Sequence, residues 1–212
     1  MFKQEFSNET NRSCVLLAGA LLLCTSATVF AVEVPKVSGS AFKIKVGEVW
    51  KSKRLRNGEE ITVEATRLDE NTLKISRSNG CVTTHSTEDR YGPSLSWEKC
   101  NDSRKWHSGK ASKFDRGGAL WPFKVGNKVK YSYARENAEG KFFYGTKVSC
   151  EVAATEMVKV PAGEFGTYRV DCKYPWQKQS FWYAPAVGRT VKFEREHRKR
   201  GKTEWELLEI IQ

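Results

Sequence analysis

Few residues of this chain are spaced for covalent or metal chemistry. Cys100 and His107 lie close together in sequence, and a cysteine–histidine pair can act as a nucleophile and its base. The three histidines fall in no His-Glu-x-x-His motif, and the cysteines in no Cys-x-x-Cys motif. No Gly-x-Ser-x-Gly nucleophile elbow is present. The pattern predicts no cofactor and no metal site, and it leaves a hydrolase only as an alternative.

The amino-terminal segment is typical of a signal peptide. Lys3 and Arg12 lie in a polar leader, an apolar run covers Val15–Leu23, and small residues lead to Ala31. The apolar run is shorter than the roughly 20 residues of a spanning helix. We predict that residues 1–31 are removed and that the mature protein is exported to the periplasm or the cell exterior without spanning a membrane. An uncleaved membrane anchor is one alternative. A lipoprotein anchored at Cys24 is another, disfavoured by the large Leu23 before it.

Four cysteines remain after the predicted leader, an even number in an oxidising compartment. Three connectivities are open, and the short separations favour Cys81–Cys100 and Cys150–Cys172. Each bridge would contribute roughly 3 kcal/mol in the chain-entropy model. Cys150 and Cys172 lie on the apolar faces of their strands, but a simple hairpin about Gly163 would not place them opposite each other. Their pairing therefore requires a bulge or a longer connection.

Alternation of apolar and polar residues dominates the sequence and predicts strands. Asn57-Gly58 is a strong hairpin signal between two such strands. We predict an all-β, antiparallel fold, either a strongly curved open sheet or a barrel-like sandwich, in one domain over residues 32–212. Residues 79–118 are predicted to be a long loop. Lys45–Lys51 resembles Lys124–Lys130, which leaves open two related half-sheets.

The charge of the mature part favours acidic partners. The formal net charge is +11, and the charges of the leader cancel. In the cell envelope such a protein would meet anionic lipid, glycan or another polymer before nucleic acid, which is disfavoured. Basic residues form two sequence clusters: Lys51, Lys53, Arg54 and Arg56, and then Arg195, Arg198, Lys199 and Arg200 with Lys202. They are candidate ligand-binding residues, although lysines on strand edges also prevent aggregation.

Aromatic residues supply a second candidate surface. Tyr131, Tyr133, Trp182 and Tyr183 lie on predicted strands. On a curved sheet they could hold an apolar or glycan ligand.

Three sequence blocks carry a family resemblance: Leu120–Gly126 (LWPFKVG), Val158–Tyr168 (VKVPAGEFGTY) and Phe181–Lys192 (FWYAPAVGRTVK). In this order they resemble a group of bacterial exported proteins of unknown function related to the TapB-like families. The match covers roughly residues 118–210. The resemblance implies a β-rich envelope domain over residues 119–212, and it implies no catalytic residues.

Export, charge and the missing catalytic motifs predict a non-enzymatic envelope module that binds an anionic or lipidic or glycan component. A structural partner that recognises another protein by strand addition is the first alternative. A hydrolase of an envelope polymer is the second.

Overall fold

A computed structural model describes residues 47–89 and 91–211 of the chain. The predicted signal peptide, its cleavage site and the alternative anchor at Cys24 lie outside the described residues.

Twelve strands make up the fold, and one short 3-10 turn spans Pro185–Val187. The strands are β1 (Val49–Arg54), β2 (Glu60–Arg67), β3 (Thr72–Arg77), β4 (Val82–Ser86), β5 (Ser96–Glu98), β6 (Gly109–Gly118), β7 (Lys128–Asn137), β8 (Phe142–Val160), β9 (Gly163–Lys173), β10 (Gln177–Ala184), β11 (Arg189–His197) and β12 (Gly201–Ile210).

The strands form one closed antiparallel barrel in chain order. Each strand pairs with its neighbours in sequence, and β1 closes the barrel against β12, from Trp50 opposite Ile210 to Arg54 opposite Trp205. The all-β antiparallel class predicted from alternation is confirmed, and the sheet is closed rather than open. The duplication into half-sheets stays a prediction.

Alternation explains which residues face the interior. Along β2, Ile61, Val63 and Ala65 are buried while their neighbours are more exposed. Asn57-Gly58 forms the turn before it, with Gly58 at φ 70°, a left-handed conformation that favours glycine. Residues on one side of a strand share one face of the sheet, so closure turns the apolar face of a strand such as β2 toward the interior.

An up-and-down barrel has two ends with different loops. We call the end with the β1–β2, β3–β4, β5–β6, β7–β8, β9–β10 and β11–β12 loops the mouth end. The other five loops lie at the floor end.

Two apolar clusters make up the packed interior of the barrel. In the first, Leu120 and Phe123 from the β6–β7 loop pack with residues of β7–β10. In the second, Val158 and Val160 of β8 pack with residues of β1–β3 and β10–β12. The tip of the β8–β9 hairpin is held against β12, because the Ala162 amide donates a hydrogen bond to the Leu207 carbonyl at 3.2 Å.

Both favoured disulfides are present. Cys150 lies directly opposite Cys172 across β8 and β9, and a register shift between Val152 and Ala154 provides the offset that the sequence required. Cys81 and Cys100 form the second bridge. It lies beside β5, which pairs with β4 at three positions and with β6 at two. Cys81 precedes β4 and Cys100 follows β5, so the bridge fastens the short β4–β5 pairing.

The predicted loop over residues 79–118 was wrong, because β4, β5 and β6 all lie in it. Most side chains of β6 are exposed, so its sequence lacks the apolar alternation that identifies a strand. Close packing explains why the first residue of β6 is a glycine. A Cβ on Gly109 would collide with the Glu136 carbonyl and the Trp97 ring.

We predict that the double variant Cys81→Ala/Cys100→Ala loosens the β4–β6 region selectively. Its free energy of unfolding should fall by about 3 kcal/mol in urea denaturation, because the bridge closes a loop of this size. Hydrogen exchange should rise most in β4, β5 and β6. Cys150→Ala/Cys172→Ala is the matched control and should raise exchange in β8 and β9 instead. Equal exchange profiles for the two variants would contradict the prediction.

Candidate functional site

Two adjoining cavities lie in the barrel. The inner cavity has a volume of about 460 Å³ and reaches apolar residues of the second cluster, among them Trp50, Val63 and Leu207. The outer cavity has about 1080 Å³ and lies at the mouth end. Arg54 and Arg195 line both cavities, so the two cavities adjoin at these side chains. Volumes of roughly 300–1,000 Å³ are typical of small-molecule sites.

Four arginines end the inward-facing rows of their strands. Arg54 follows Trp50 and Ser52 at two-residue spacing. The same spacing runs Leu73-Ile75-Arg77, Val129-Tyr131-Tyr133-Arg135 and Val191-Phe193-Arg195. All four line a cavity, and we call them the arginine collar. Because side chains alternate between the faces of a strand, each row begins apolar near the floor and ends cationic near the mouth.

Arg195 is surrounded by other cations. Burial lowers its pKa, and the nearby charges of Arg200 and Arg54 lower it further. Its Nη2 donates to the Thr203 hydroxyl at 3.5 Å, and its buried Nε has no hydrogen-bond partner within the described chain. The described residues therefore use only part of the hydrogen-bonding capacity of this guanidinium.

Arg77 and Arg135 are half-buried, and burial lowers the pKa of each. Arg77 donates to the Cys81 sulfur at 3.1 Å and to the Thr83 hydroxyl at 3.4 Å. Arg135 donates from Nε to the Thr146 hydroxyl at 3.0 Å. Among residues 47–89 and 91–211, neither forms a salt bridge, and nor does Arg195.

Tryptophan rings support two guanidiniums of the collar. The Arg135 guanidinium carbon lies 4.0 Å from the Trp176 ring centre and 4.6 Å from that of Trp106. The Arg54 guanidinium lies 4.6 Å from Trp205 and also pairs with Glu59 at 2.8 Å. Stacking on an indole face leaves the edges of a planar guanidinium available for bidentate donation.

The outer cavity is strongly cationic. Seven basic residues line it: Arg54, Arg56, Arg135, Arg195, Lys199, Arg200 and Lys202. In the described part of the chain, Asp102 is the one carboxylate residue of this lining. Lys202 is itself paired with Glu204 at 2.7 Å. A concave surface lined by one sign of charge concentrates the potential and attracts counter-ions.

Some residues of the two basic sequence clusters lie around the same cavity, and others do not. Pairing of β1 with β12 and of β12 with β11 brings Arg54, Arg56, Arg195, Lys199 and Arg200 around one cavity. Three others are placed elsewhere. Lys51 and Lys53 alternate with the inward residues of β1, and Lys51 pairs with Glu209 at 3.1 Å. Arg198 is exposed in the β11–β12 turn.

The four aromatic residues of the predicted surface do not form one binding surface in the structure. Tyr131 and Tyr183 pack in the first apolar cluster and Trp182 in the second. Trp182 and Tyr183 are adjacent on β10, so their side chains point to opposite faces of the strand. The Tyr131 hydroxyl donates to Asp89 at 2.6 Å, and burial followed by the Asp89 charge raises its pKa. Tyr133 alone of the four lines the outer cavity, and burial raises its pKa to about 12.

The cysteine–histidine pair is not a nucleophile and base. Cys100 is bonded to Cys81, and its amide donates to the His107 carbonyl at 3.2 Å. In the described residues, no group of three or more His, Cys, Asp or Glu side chains is placed to hold a metal ion. Residues 47–89 and 91–211 also contain no helix of the length and apolar character needed to cross a bilayer.

Sequence reasoning missed Arg77 and Arg135. Neither belongs to a run of basic residues, so a search for charge clusters passes over both. The available signal was their position: each continues an apolar row by one more two-residue step.

No protein-family model matches the chain, and the comparison with curated proteins finds no match. Similar solved structures include the hypothetical lipoprotein YmcC from Escherichia coli K12, which is 12% identical over 76% of this chain and 83% of that chain, with a TM-score of 0.47. They also include a protein from Bacteroides fragilis described as exported with a YmcC-like fold. It is 15% identical over 82% of this chain and 100% of that chain, with a TM-score of 0.37.

We predict that neutralising one collar arginine raises the pKa of His197. Burial lowers that pKa first, and the charges of Arg200, Arg195 and Lys199 lower it further. In addition, Nδ1 of His197 accepts the amide protons of Lys199 and Arg200 at 3.1 and 3.2 Å, which favours the neutral ring. Arg195→Gln should therefore move the titration, followed by NMR of the ring protons, toward the ordinary pKa. Arg67→Gln is the control, because Arg67 is exposed and lies at the floor end. An equal change in the pKa of His197 in Arg195→Gln and Arg67→Gln would contradict the prediction.

Proposed function

We propose that this protein is an exported, non-enzymatic module that binds an anionic component of the bacterial envelope inside its barrel. The arginine collar is the observation that carries the proposal. Its guanidiniums lie where a concave, partly desolvated site strengthens electrostatic attraction.

The donors of the collar suit phosphate and carboxylate groups. Guanidinium forks bind either anion through two parallel hydrogen bonds. Thr83, Ser94 and Gln179 line both cavities beside the collar and supply hydroxyl and amide groups. A ligand with one anionic group and several polar groups therefore fits the mouth better than a wholly apolar one.

For the strand-addition alternative, β6 is one place where another strand could pair. β6 pairs with β5 only at Gly109 and Lys110, so most of its length has no strand on that side among the described residues. However, β6 has a register shift between Ser112 and Asp115, and it carries Lys113 and Arg116. Bulges and charged side chains protect an edge against added strands. We therefore favour the cavity as the site.

We expect Arg77→Gln and Arg195→Gln each to weaken anion binding by about 10- to 100-fold, because a hydrogen bond to a charged group contributes about 1.5–3 kcal/mol. Isothermal titration with inorganic pyrophosphate and with oligogalacturonate would measure this for phosphate and carboxylate. Arg67→Gln should leave both affinities unchanged. Binding of neither probe by the unaltered protein, or equal losses in all three variants, would overturn the proposal.

The same variants should not destabilise the free protein. Removing a partly buried charge that has no ionic partner relieves desolvation and like-charge repulsion. We expect the free energy of unfolding of Arg195→Gln, from urea denaturation without ligand, to equal or exceed that of the unaltered protein. A structural role for Arg195 predicts the reverse, and a loss of stability would therefore count against a binding role.

A further inference from the structure

The mouth end differs from the floor end in charge. Its loops cover residues 54–60, 77–81, 98–110, 136–142, 173–178 and 196–202, and they carry fourteen Lys and Arg residues against seven Asp and Glu. The described residues of the floor-end loops, within 67–72, 86–96, 118–128, 159–164 and 184–189, carry five of each. The excess of positive charge in the loops is therefore found at the mouth end.

Exposed aromatic residues lie at the same end. Phe142 and Tyr144 are 47% and 70% exposed. They share one face of β8, and their ring centres are 6.1 Å apart. The Lys113 ammonium lies 5.4 Å from the Tyr144 ring centre, and Lys141 precedes Phe142 in sequence. We call these four residues the rim patch.

We infer that the mouth end docks on an anionic membrane surface through the rim patch. Aromatic side chains favour the boundary between headgroups and acyl chains. Basic residues near an anionic leaflet contribute about a fivefold increase in binding each. One weak signal gives only marginal attachment, whereas two together hold a protein at a membrane.

The geometry favours a broad surface over a compact protein partner. The six loops belong to strands all around the barrel, so their charges form a ring rather than one patch. Leu55, 45% exposed in the β1–β2 loop, adds an apolar side chain away from β8 in the strand order. A bilayer can meet the ring and the rim patch together. This inference goes beyond the binding of an anion in the cavity, and the rim patch shares no residue with the arginine collar.

The test is co-sedimentation with vesicles of phosphatidylcholine alone or mixed with phosphatidylglycerol. The protein is used in the form that the producing cell yields, with its amino terminus determined by mass. We expect binding to require phosphatidylglycerol and to weaken with salt. Phe142→Ser/Tyr144→Ser should reduce the partition coefficient about tenfold, since partly buried aromatic area is lost. Lys113→Gln/Lys141→Gln should reduce it about fivefold per residue.

Leu68→Ser/Met157→Ser is the matched control, because these exposed apolar residues lie at the floor end. It shares the same amino terminus and should bind as the unaltered protein does. Equal binding to both vesicle types, or equal losses in rim and control variants, would overturn the inference. Retention by heparin without vesicle binding would assign the charge to a soluble polyanion and also overturn it.

The two proposals can fail separately. Arg77→Gln/Arg195→Gln should abolish pyrophosphate or oligogalacturonate binding and leave vesicle docking intact. The rim variants should do the opposite. Vesicle binding lost in the collar variant but kept in the rim variants would overturn docking through the rim patch while leaving the cavity proposal in place.

Discussion

Closure of the sheet is the constraint on which the rest of this structure depends. Pairing of β1 with β12 joins the two ends of the chain-ordered meander. Once the sheet is closed, a side chain on a strand points either to the interior or to the surroundings, and the choice alternates except at bulges. An open sheet would leave Arg54 and Arg77 on one side of a curved surface. In the closed barrel they line a common cavity with Arg195.

The same alternation makes the interior polar at one end and apolar at the other. Val191, Phe193 and Arg195 occupy successive inward positions of β11, so the polarity of the cavity follows from the order of residues along one strand. An arginine at such a position loses hydration, which disfavours its charged form. Stacking of guanidiniums on Trp176 and Trp205 offsets part of this cost. A site that keeps such residues departs from the best packing, as functional sites do.

Local patterns predicted much of the fold but only part of the site. The Asn57-Gly58 hairpin and the bulge required by Cys150 and Cys172 depend on neighbouring residues, and both were predicted correctly. β4, β5 and β6 were missed. β4 and β5 are short, and the exposed side chains of β6 carry no apolar period, so pairing with neighbouring strands fixes their place. Arg77 and Arg135 were missed for a related reason: strand order brings isolated residues together, and a search for runs of charge cannot find them.

Antiparallel connectivity also explains why cavity and rim charges share one end. Alternate loops of a meander fall at the same end of the barrel. Basic residues in the loops of the mouth end therefore lie near each other even when they are far apart in sequence. Floor-end connections instead carry Leu120 and Phe123 into the first cluster, while Val160 at the β8–β9 hairpin joins the second, which closes that end with apolar packing. An anionic ligand therefore meets favourable potential at the mouth and apolar contact only deeper inside. For the proposed anionic ligand, this polarity favours entry at the mouth, with the anionic group nearest the arginine collar.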